Sequence, residues 1–275
     1  MNDPIPISLH RTETAFRWQG LRLPGVRIDP PQPAPADAPK DALCLVFLHE
    51  ALGSIRLWRD FPDDVVAATG LPALVYERQG HGDADPIAAP RGLDYLHIEA
   101  EQALPAVLEQ AGIGRAILIG HSDGGSIALL HAAAFPERTL AAVTLAAHAF
   151  VEDVTVAGVH EAMEAWRTTD LPEKLAKYHG PNTEALYRAW AETWTSNEFR
   201  PWNIEDCLPR IGCPLLVIQG AEDEYATAAQ VHAICQGAGG PATPLLIPDC
   251  AHQPQRQQRA AVLDAITGFV REVVG

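Results

Sequence analysis

The chain has 275 residues, of which 47% are hydrophobic, and a formal net charge of −15 at pH 7. A chain of this length can bury one substantial core and carry an inserted subdomain. Its negative charge disfavours nucleic acid and anionic membrane surfaces as partners, because both would repel it.

No run approaches the roughly 18 apolar residues of a transmembrane helix, and the first residues lack the basic and apolar regions of a secretory signal. The five cysteines are odd in number, scattered and without a C-x-x-C pair. This usage favours reduced thiols over a disulfide framework or a zinc site. We therefore expect a cytoplasmic protein that binds neither membranes nor nucleic acid and holds no metal.

Residues 5–28 predict two short antiparallel strands, and the proline-rich segment 30–39 predicts an extended surface loop. From residue 43 onward, continuous apolar runs alternate with helix-like segments. This alternation predicts an α/β fold with a mostly parallel central sheet and helices on both faces. The predicted strands are 43–48, 73–76, 115–119, 140–145, 215–218 and 245–247, and the predicted helices are 57–69, 95–111, 126–135 and 260–274.

The alternation stops between residues 149 and 206, where the sequence is helix-like and carries four of the six tryptophans. We interpret this segment as a helical cap over the carboxyl edge of the sheet, where ligands bind in open α/β folds. The core then comprises residues 1–148 and 207–275. We expect Trp166 and Trp190 to contact substrate, with packing between cap and core as the alternative for each tryptophan.

The run GHSDGG at residues 120–125 matches the pattern G-x-S-x-G, between a predicted strand and a predicted helix. Small residues on both sides of the serine allow a sharp turn that exposes its hydroxyl above the end of the sheet. We therefore interpret Ser122 as a nucleophile.

A serine nucleophile needs a histidine base, and the histidine needs an orienting acid. On this kind of sheet, the acid and then the histidine follow later strands. Asp223 follows the strand at 215–218, and its spacing from that strand favours it over Glu222 and Glu224. His252 follows the last predicted strand.

Two backbone N–H groups should stabilise the negative charge that develops on the reacting carbonyl oxygen. Asp123 supplies one of them, because it directly follows the nucleophile at the start of a helix. The second is expected from the loop at residues 49–53, where we favour Ala51.

Together these residues resemble the α/β-hydrolase superfamily, and the resemblance spans residues 42–275. Within it, the chain is similar to the capped serine hydrolases of the valacyclovir-hydrolase and meta-cleavage-product-hydrolase branches. In the former branch the aspartate after the serine is associated with the α-amino group of the substrate, a role that would fall to Asp123. The family usually has glycine where this chain has Glu50, which either anchors the loop or adds negative charge to the substrate site. The motifs are HEALG at 49–53, GHSDGG at 120–125, GAED at 220–223 and AHQP at 251–254.

These observations predict a cofactor-free serine hydrolase that cleaves a small carboxylic ester, with an α-amino ester as one form of the hypothesis. A C–C bond hydrolase of a meta-cleavage-type diketone and an acyl thioesterase use the same residues and remain alternatives. A ligand receptor with a hydrolase fold is the non-enzyme alternative. The expected partner is a small molecule, and a homodimer stays open.

Overall fold

The computed structural model describes residues 9–31, 43–87 and 91–275. The strands in these ranges are β1 (His10–Trp18), β2 (Leu21–Asp29), β3 (Cys44–Leu48), β4 (Ala73–Tyr76), β5 (Ala116–His121), β6 (Thr139–Leu145), β7 (Leu215–Gly220) and β8 (Ala242–Ile247). They form one sheet in the order β1-β2-β4-β3-β5-β6-β7-β8. The pairs β1–β2 and β2–β4 are antiparallel, and all other neighbours are parallel. The predicted α/β fold with a mostly parallel sheet is confirmed.

Helices connect most of these strands, and a π-helical turn at Glu99–Ala103 joins α3 to α4. In the described ranges the α-helices are α1 (Ile55–Trp58), α2 (Phe61–Thr69), α3 (Tyr95–Ile98), α4 (Leu104–Gln110), α5 (Asp123–Ala134), α6 (Asp153–Thr168), α7 (Leu171–His179), α8 (Thr183–Trp194), α9 (Ala228–Gly237), α10 (Pro254–Gln257) and α11 (Arg259–Val274). None of them is long and apolar enough to cross a membrane.

Both faces of the sheet are covered, as strand β3 shows. Its side chains are all buried and alternate between two hydrophobic clusters. Cys44 and Val46 belong to the cluster that includes residues of α4, α5 and α9, whereas Leu45 and Phe47 belong to the cluster that includes residues of α2 and α11. A strand covered on both faces needs apolar residues at every position, which explains its unbroken apolar sequence.

Some element boundaries differ from the predictions. The helix predicted at 57–69 is divided into α1 and α2 at Arg59, whose φ is 55°. Helix α9 was not predicted at all. Residues 32–42 lie outside the described part of the chain, and with them most of the predicted loop at 30–39.

Helices α6, α7 and α8 lie in sequence between β6 and β7, and we call them the cap helices. The predicted helical character of residues 149–206 agrees with them, while the division into core and cap domains stays a prediction. Helix α5 starts directly after Ser122 and is buried over Asp123–Ala133. Strand β5, which ends directly before Ser122, lies in the middle of the sheet. The candidate nucleophile is therefore at the carboxyl end of the central strands.

Candidate active site

Ser122 occupies the sharp turn between β5 and α5. Its φ of 53° and ψ of −119° are values that a residue with a side chain adopts at a cost of about 1–3 kcal/mol. Its backbone N–H donates a hydrogen bond to the carbonyl oxygen of Leu145, at 2.8 Å. A Cβ atom on Gly120 would overlap the carbonyl group of Gly124, and one on Gly124 would overlap that of Leu48. Only glycine therefore allows the turn to pack this closely against its neighbours.

The structure brings Ser122, His252 and Asp223 together in one hydrogen-bonded chain. The Nε2 atom of His252 lies 3.0 Å from the Oγ atom of Ser122. On the other side of the ring, Nδ1 lies 2.8 Å from Oδ1 and 3.0 Å from Oδ2 of Asp223. With Nδ1 protonated, Nε2 has a free lone pair that can accept the serine proton.

The environment of Asp223 keeps its carboxyl group ionised. Burial by itself raises the pKa of this group, but the hydrogen bond and the charge of His252 outweigh burial and lower the pKa below its usual value. The backbone N–H of Tyr225 donates a further hydrogen bond to Oδ1, at 2.9 Å. The side chain of Glu224, the residue after Asp223, accepts a hydrogen bond of 3.0 Å from the backbone N–H of His252. This bond holds the loop that carries His252.

The loop after β3 is held through the carbonyl group of Glu50. The Nη2 atom of Arg78 donates to this oxygen at 2.9 Å, and Nδ1 of His49 lies 2.8 Å from it. Because a trans peptide is planar, the N–H of Ala51 in the same peptide points away from these donors. Ala51 and Asp123 both line the cavity beside Ser122, and their N–H groups donate to no group in the described ranges.

The side chain of Asp123 already has partners in the protein. Its Oδ2 atom accepts a hydrogen bond of 2.8 Å from the hydroxyl group of Tyr95, which itself accepts one from Nε1 of Trp194. The same oxygen lies 3.8 Å from Nη1 of Arg78, and both side chains are buried. The carboxylate that was expected to bind a substrate amino group therefore neutralises a buried arginine.

The side chain of Glu50 is also paired. Its Oε2 atom lies 3.3 Å from Nδ1 of His121, the residue before the candidate nucleophile. Burial by itself raises the pKa of Glu50, but the hydrogen bond and charge of His121 dominate and lower it to about 2. Burial likewise opposes the charged form of His121, yet Glu50 raises the pKa of this histidine above its usual value.

A cavity of about 450 Å³ lies over Ser122, between the sheet edge and the cap helices. Of the residues singled out in the sequence, Glu50, Ala51, Asp123, His252 and Trp190 belong to its walls, while their roles remain predictions. The placement expected for Trp166 is corrected: its ring stacks on Tyr187, with centroids 3.9 Å apart, and it does not line the cavity.

Sequence reasoning missed several wall residues. His148 lies three residues beyond β6, and its ring centroid is 6.1 Å from that of His252. Its place after a central parallel strand could have identified it. The wall also includes Lys174, Lys177 and Arg256. Lys174 pairs with Asp170, whereas no carboxylate of the described residues lies within 4.0 Å of the other two.

Proteins with a similar sequence include the sn-1-specific diacylglycerol lipase ABHD11 of Mus musculus, which is 29% identical over 137 residues. This alignment covers 48% of the present chain and 41% of the lipase, so the chain spans less than half of that protein. A 2-succinyl-6-hydroxy-2,4-cyclohexadiene-1-carboxylate synthase from Serratia proteamaculans (strain 568) is 28% identical over 205 residues, covering 65% of this chain and 76% of the synthase.

Among solved structures, the 2-hydroxy-6-oxo-6-phenylhexa-2,4-dienoate hydrolase of Rhodococcus sp. strain RHA1 superimposes with a TM-score of 0.70 and 15% identity. The superposition covers 96% of this chain and 100% of that one, which shows a shared fold. The model of the alpha/beta hydrolase family matches residues 45–265, which is most of the sequence. The chain therefore belongs to the alpha/beta hydrolase family.

Proposed function

We propose that the protein is a cofactor-free serine hydrolase that cleaves a small carboxylic ester through an acyl-enzyme intermediate. The observation that supports this most directly is the hydrogen-bonded chain from Ser122 through His252 to Asp223, at one wall of a cavity of about 450 Å³. Cavities of this size are typical of sites for small molecules. Membership of a hydrolase family agrees with the proposal.

In the proposed reaction, the Oγ atom of Ser122 attacks the acyl carbon of the ester while Nε2 of His252 takes the serine proton. The distance of 3.0 Å between these two atoms permits this transfer directly. Asp223 accepts a hydrogen bond from the Nδ1–H group, which fixes the tautomer of the ring and stabilises the imidazolium that forms. His252 then protonates the leaving alcohol, and a water molecule hydrolyses the acyl-enzyme by the same steps.

The oxyanion of the tetrahedral intermediate would be held by the backbone N–H groups of Ala51 and Asp123. The orientation of the peptide between Glu50 and Ala51, with its carbonyl group bound to Arg78, supports the first donor. The start of α5 supports the second, because the N–H groups of a first helical turn have no partner within the helix.

The charges in the cavity bear on the substrate. The carboxylates of Asp123 and Glu50 already lie beside Arg78 and His121, so they offer little to a substrate α-amino group. Lys177 and Arg256, without such partners in the described ranges, favour an ester that carries a negative charge away from the scissile bond. We therefore rank a monoester of a dicarboxylic acid above an amino-acid ester.

The proposal is tested with Ser122→Ala and p-nitrophenyl acetate. Loss of the nucleophile should lower kcat by at least about 10³-fold. Ser196→Ala is the matched control, since Ser196 hydrogen-bonds within the cap and does not line the cavity. An Ser122→Ala enzyme that keeps most of its activity would contradict the assignment.

A screen of different substrates, with the same two variants as controls, distinguishes an esterase from a C–C bond hydrolase, a thioesterase and a receptor. A screen of neutral esters, amino-acid esters, dicarboxylic monoesters, acyl thioesters and a vinylogous diketone compares their kcat/KM values. A diketone or thioester turned over faster than every ester would favour the corresponding alternative enzyme. A single turnover with a product retained on Ser122, seen by mass spectrometry, would favour a receptor.

A further inference from the structure

Glu50 and His121 form a contact that the mechanism above does not use. Glu50 lies in the loop after β3, and His121 is the last residue of β5. The Oε2 atom of Glu50 is 3.3 Å from Nδ1 of His121, and the histidine side chain is 1% exposed. On its opposite side, the Nε2 atom of the same ring is 2.7 Å from the backbone carbonyl oxygen of His252.

These contacts define the protonation of His121. A carbonyl oxygen only accepts hydrogen bonds, so Nε2 must carry a proton. In a neutral ring, Nδ1 would then carry a lone pair, which the negative charge of the Glu50 carboxylate repels. In a charged ring, Nδ1 carries a proton that points toward the carboxylate and is attracted to it. The side-chain nitrogen of Gln255 lies 3.1 Å from Nδ1, and its buried amide oxygen has no hydrogen-bond partner in the described residues. Exchanging the two atoms by rotation of the amide gives that oxygen the Nδ1 proton as its donor.

The surrounding charges agree with a charged ring. The titratable groups that act on His121 are Glu50, Asp223 and His252, of which the two carboxylates favour the imidazolium. Glu50 in turn is near His49 and His179, whose pKa values burial and neighbouring charges lower below the usual value, so both remain neutral. His121 is therefore the one histidine among these neighbours of Glu50 that burial does not keep neutral.

Glu50 thus connects two parts of the site. Its carbonyl group belongs to the peptide whose N–H is proposed to bind the oxyanion, and Arg78 holds it at 2.9 Å. Its carboxylate acts on His121, which holds the loop that carries His252. Displacement of this one residue would move both the oxyanion donor and the general base.

We propose that Glu50 is a positioning residue that keeps His121 doubly protonated. The charged ring of His121 holds the carbonyl group of His252, so that the Nε2 atom of His252 stays within hydrogen-bonding distance of Ser122. The catalytic half of this inference rests on the function proposed above, whereas the charge state of His121 does not. A hydrogen bond from a charged donor is about twice as strong as one from a neutral donor. Neutral His121 would therefore hold the loop more weakly.

The charge state is measured with ¹⁵N-labelled histidine by long-range proton–nitrogen correlation at pH 6.5. Both ring nitrogens of His121 should show imidazolium shifts in the wild type and neutral shifts in Glu50→Gln, with assignment by loss of the signals in His121→Asn. Glu222→Gln is the matched control, because this exposed carboxylate lies beside the site. A neutral His121 in the wild type, or a charged one in Glu50→Gln, would overturn the proposal.

The positioning role is measured by kinetics of the folded variants. Glu50→Gln should lower kcat about tenfold, because the hydrogen bond from His121 to the His252 carbonyl group loses the strength that the positive charge gives it. KM should stay within about twofold of the wild-type value. Glu222→Gln should match the wild type. An unchanged kcat with a neutral His121 would overturn the positioning role. Activity that survives in Ser122→Ala would instead refute the proposed hydrolase, and the result for His121 would still stand.

Discussion

Replacing Asp123 by asparagine tests whether its carboxylate neutralises Arg78 or serves the substrate. The two side chains are 2% and 1% exposed, and Oδ2 of Asp123 lies 3.8 Å from Nη1 of Arg78. The Nη1 and Nε atoms of Arg78 have no hydrogen-bond partner in the described residues. Asparagine keeps an acceptor for Tyr95 but removes the charge. Asp123→Asn therefore takes from Arg78 the only carboxylate of the described residues that lies within 4.0 Å of it.

The expected loss in the free energy of unfolding is about 3–4 kcal/mol. At 3.8 Å, and with an effective dielectric constant of about 20, the attraction between two unit charges is about 4 kcal/mol. Removal of one partner of a buried ion pair typically costs about 3–5 kcal/mol. Urea unfolding followed by circular dichroism measures the change, provided that the slope with urea concentration is unaltered.

Two further variants make this prediction specific. Asp153→Asn removes the same charge from an ion pair with Arg200 in which the aspartate side chain is 97% exposed, and it should cost less than about 1 kcal/mol. Arg78→Met combined with Asp123→Asn should recover part of the lost stability, because the buried cation that faces Asp123 is removed together with its carboxylate. If Asp123→Asn costs no more than Asp153→Asn, the reasoning is refuted, and recognition of an α-amino group by Asp123 regains support.

Two other predictions follow from the hydrogen-bonded residues of the site. Asp223→Asn should lower kcat by about 10³–10⁴-fold with little change in KM, because the histidine loses the partner that fixes its tautomer; a kcat within tenfold of the wild type would contradict this. The pKa of Glu50 is lowered from 4.5 to about 2, so its pairing stabilises the fold above pH 4.5 and this contribution disappears as the pH falls toward 2. The pKa of His121 is raised from 6.5, so its contribution is complete below pH 6.5 and is lost as the pH rises beyond it. Glu50→Gln should therefore be destabilised most between about pH 4.5 and 6.5, by about 1–3 kcal/mol in urea unfolding, and a difference that does not vary with pH would contradict the pairing.

The alternation of apolar strands and helices was sufficient to predict the sheet, because a parallel sheet buried on both faces requires unbroken apolar runs. The turn at Ser122 was predictable because its geometry demands small residues at 120 and 124. Helix α9 was missed because its short sequence, with β-branched Val231 and Ile234 as its largest apolar residues, carries a weak helical pattern.

The partners of charged groups could not be read from the sequence. Glu50 and His121 are far apart along the chain, and they meet because β3 and β5 are neighbours in the sheet, with Leu48 opposite Gly120. Strand order is a property of the tertiary fold. The same holds for Trp166 and Trp190, since only the rotation of each cap helix against the core decides which ring faces the cavity.

The backbone conformation of Ser122 has a consequence for protein engineering. A residue held at a φ of 53° weakens the fold at the position that the proposed chemistry needs most. Glycine would adopt these angles without strain, so an inactive protein with glycine there would be more resistant to heat than the active one. A screen of variants by thermal resistance alone would therefore favour sequences that have lost Ser122 and with it the proposed activity.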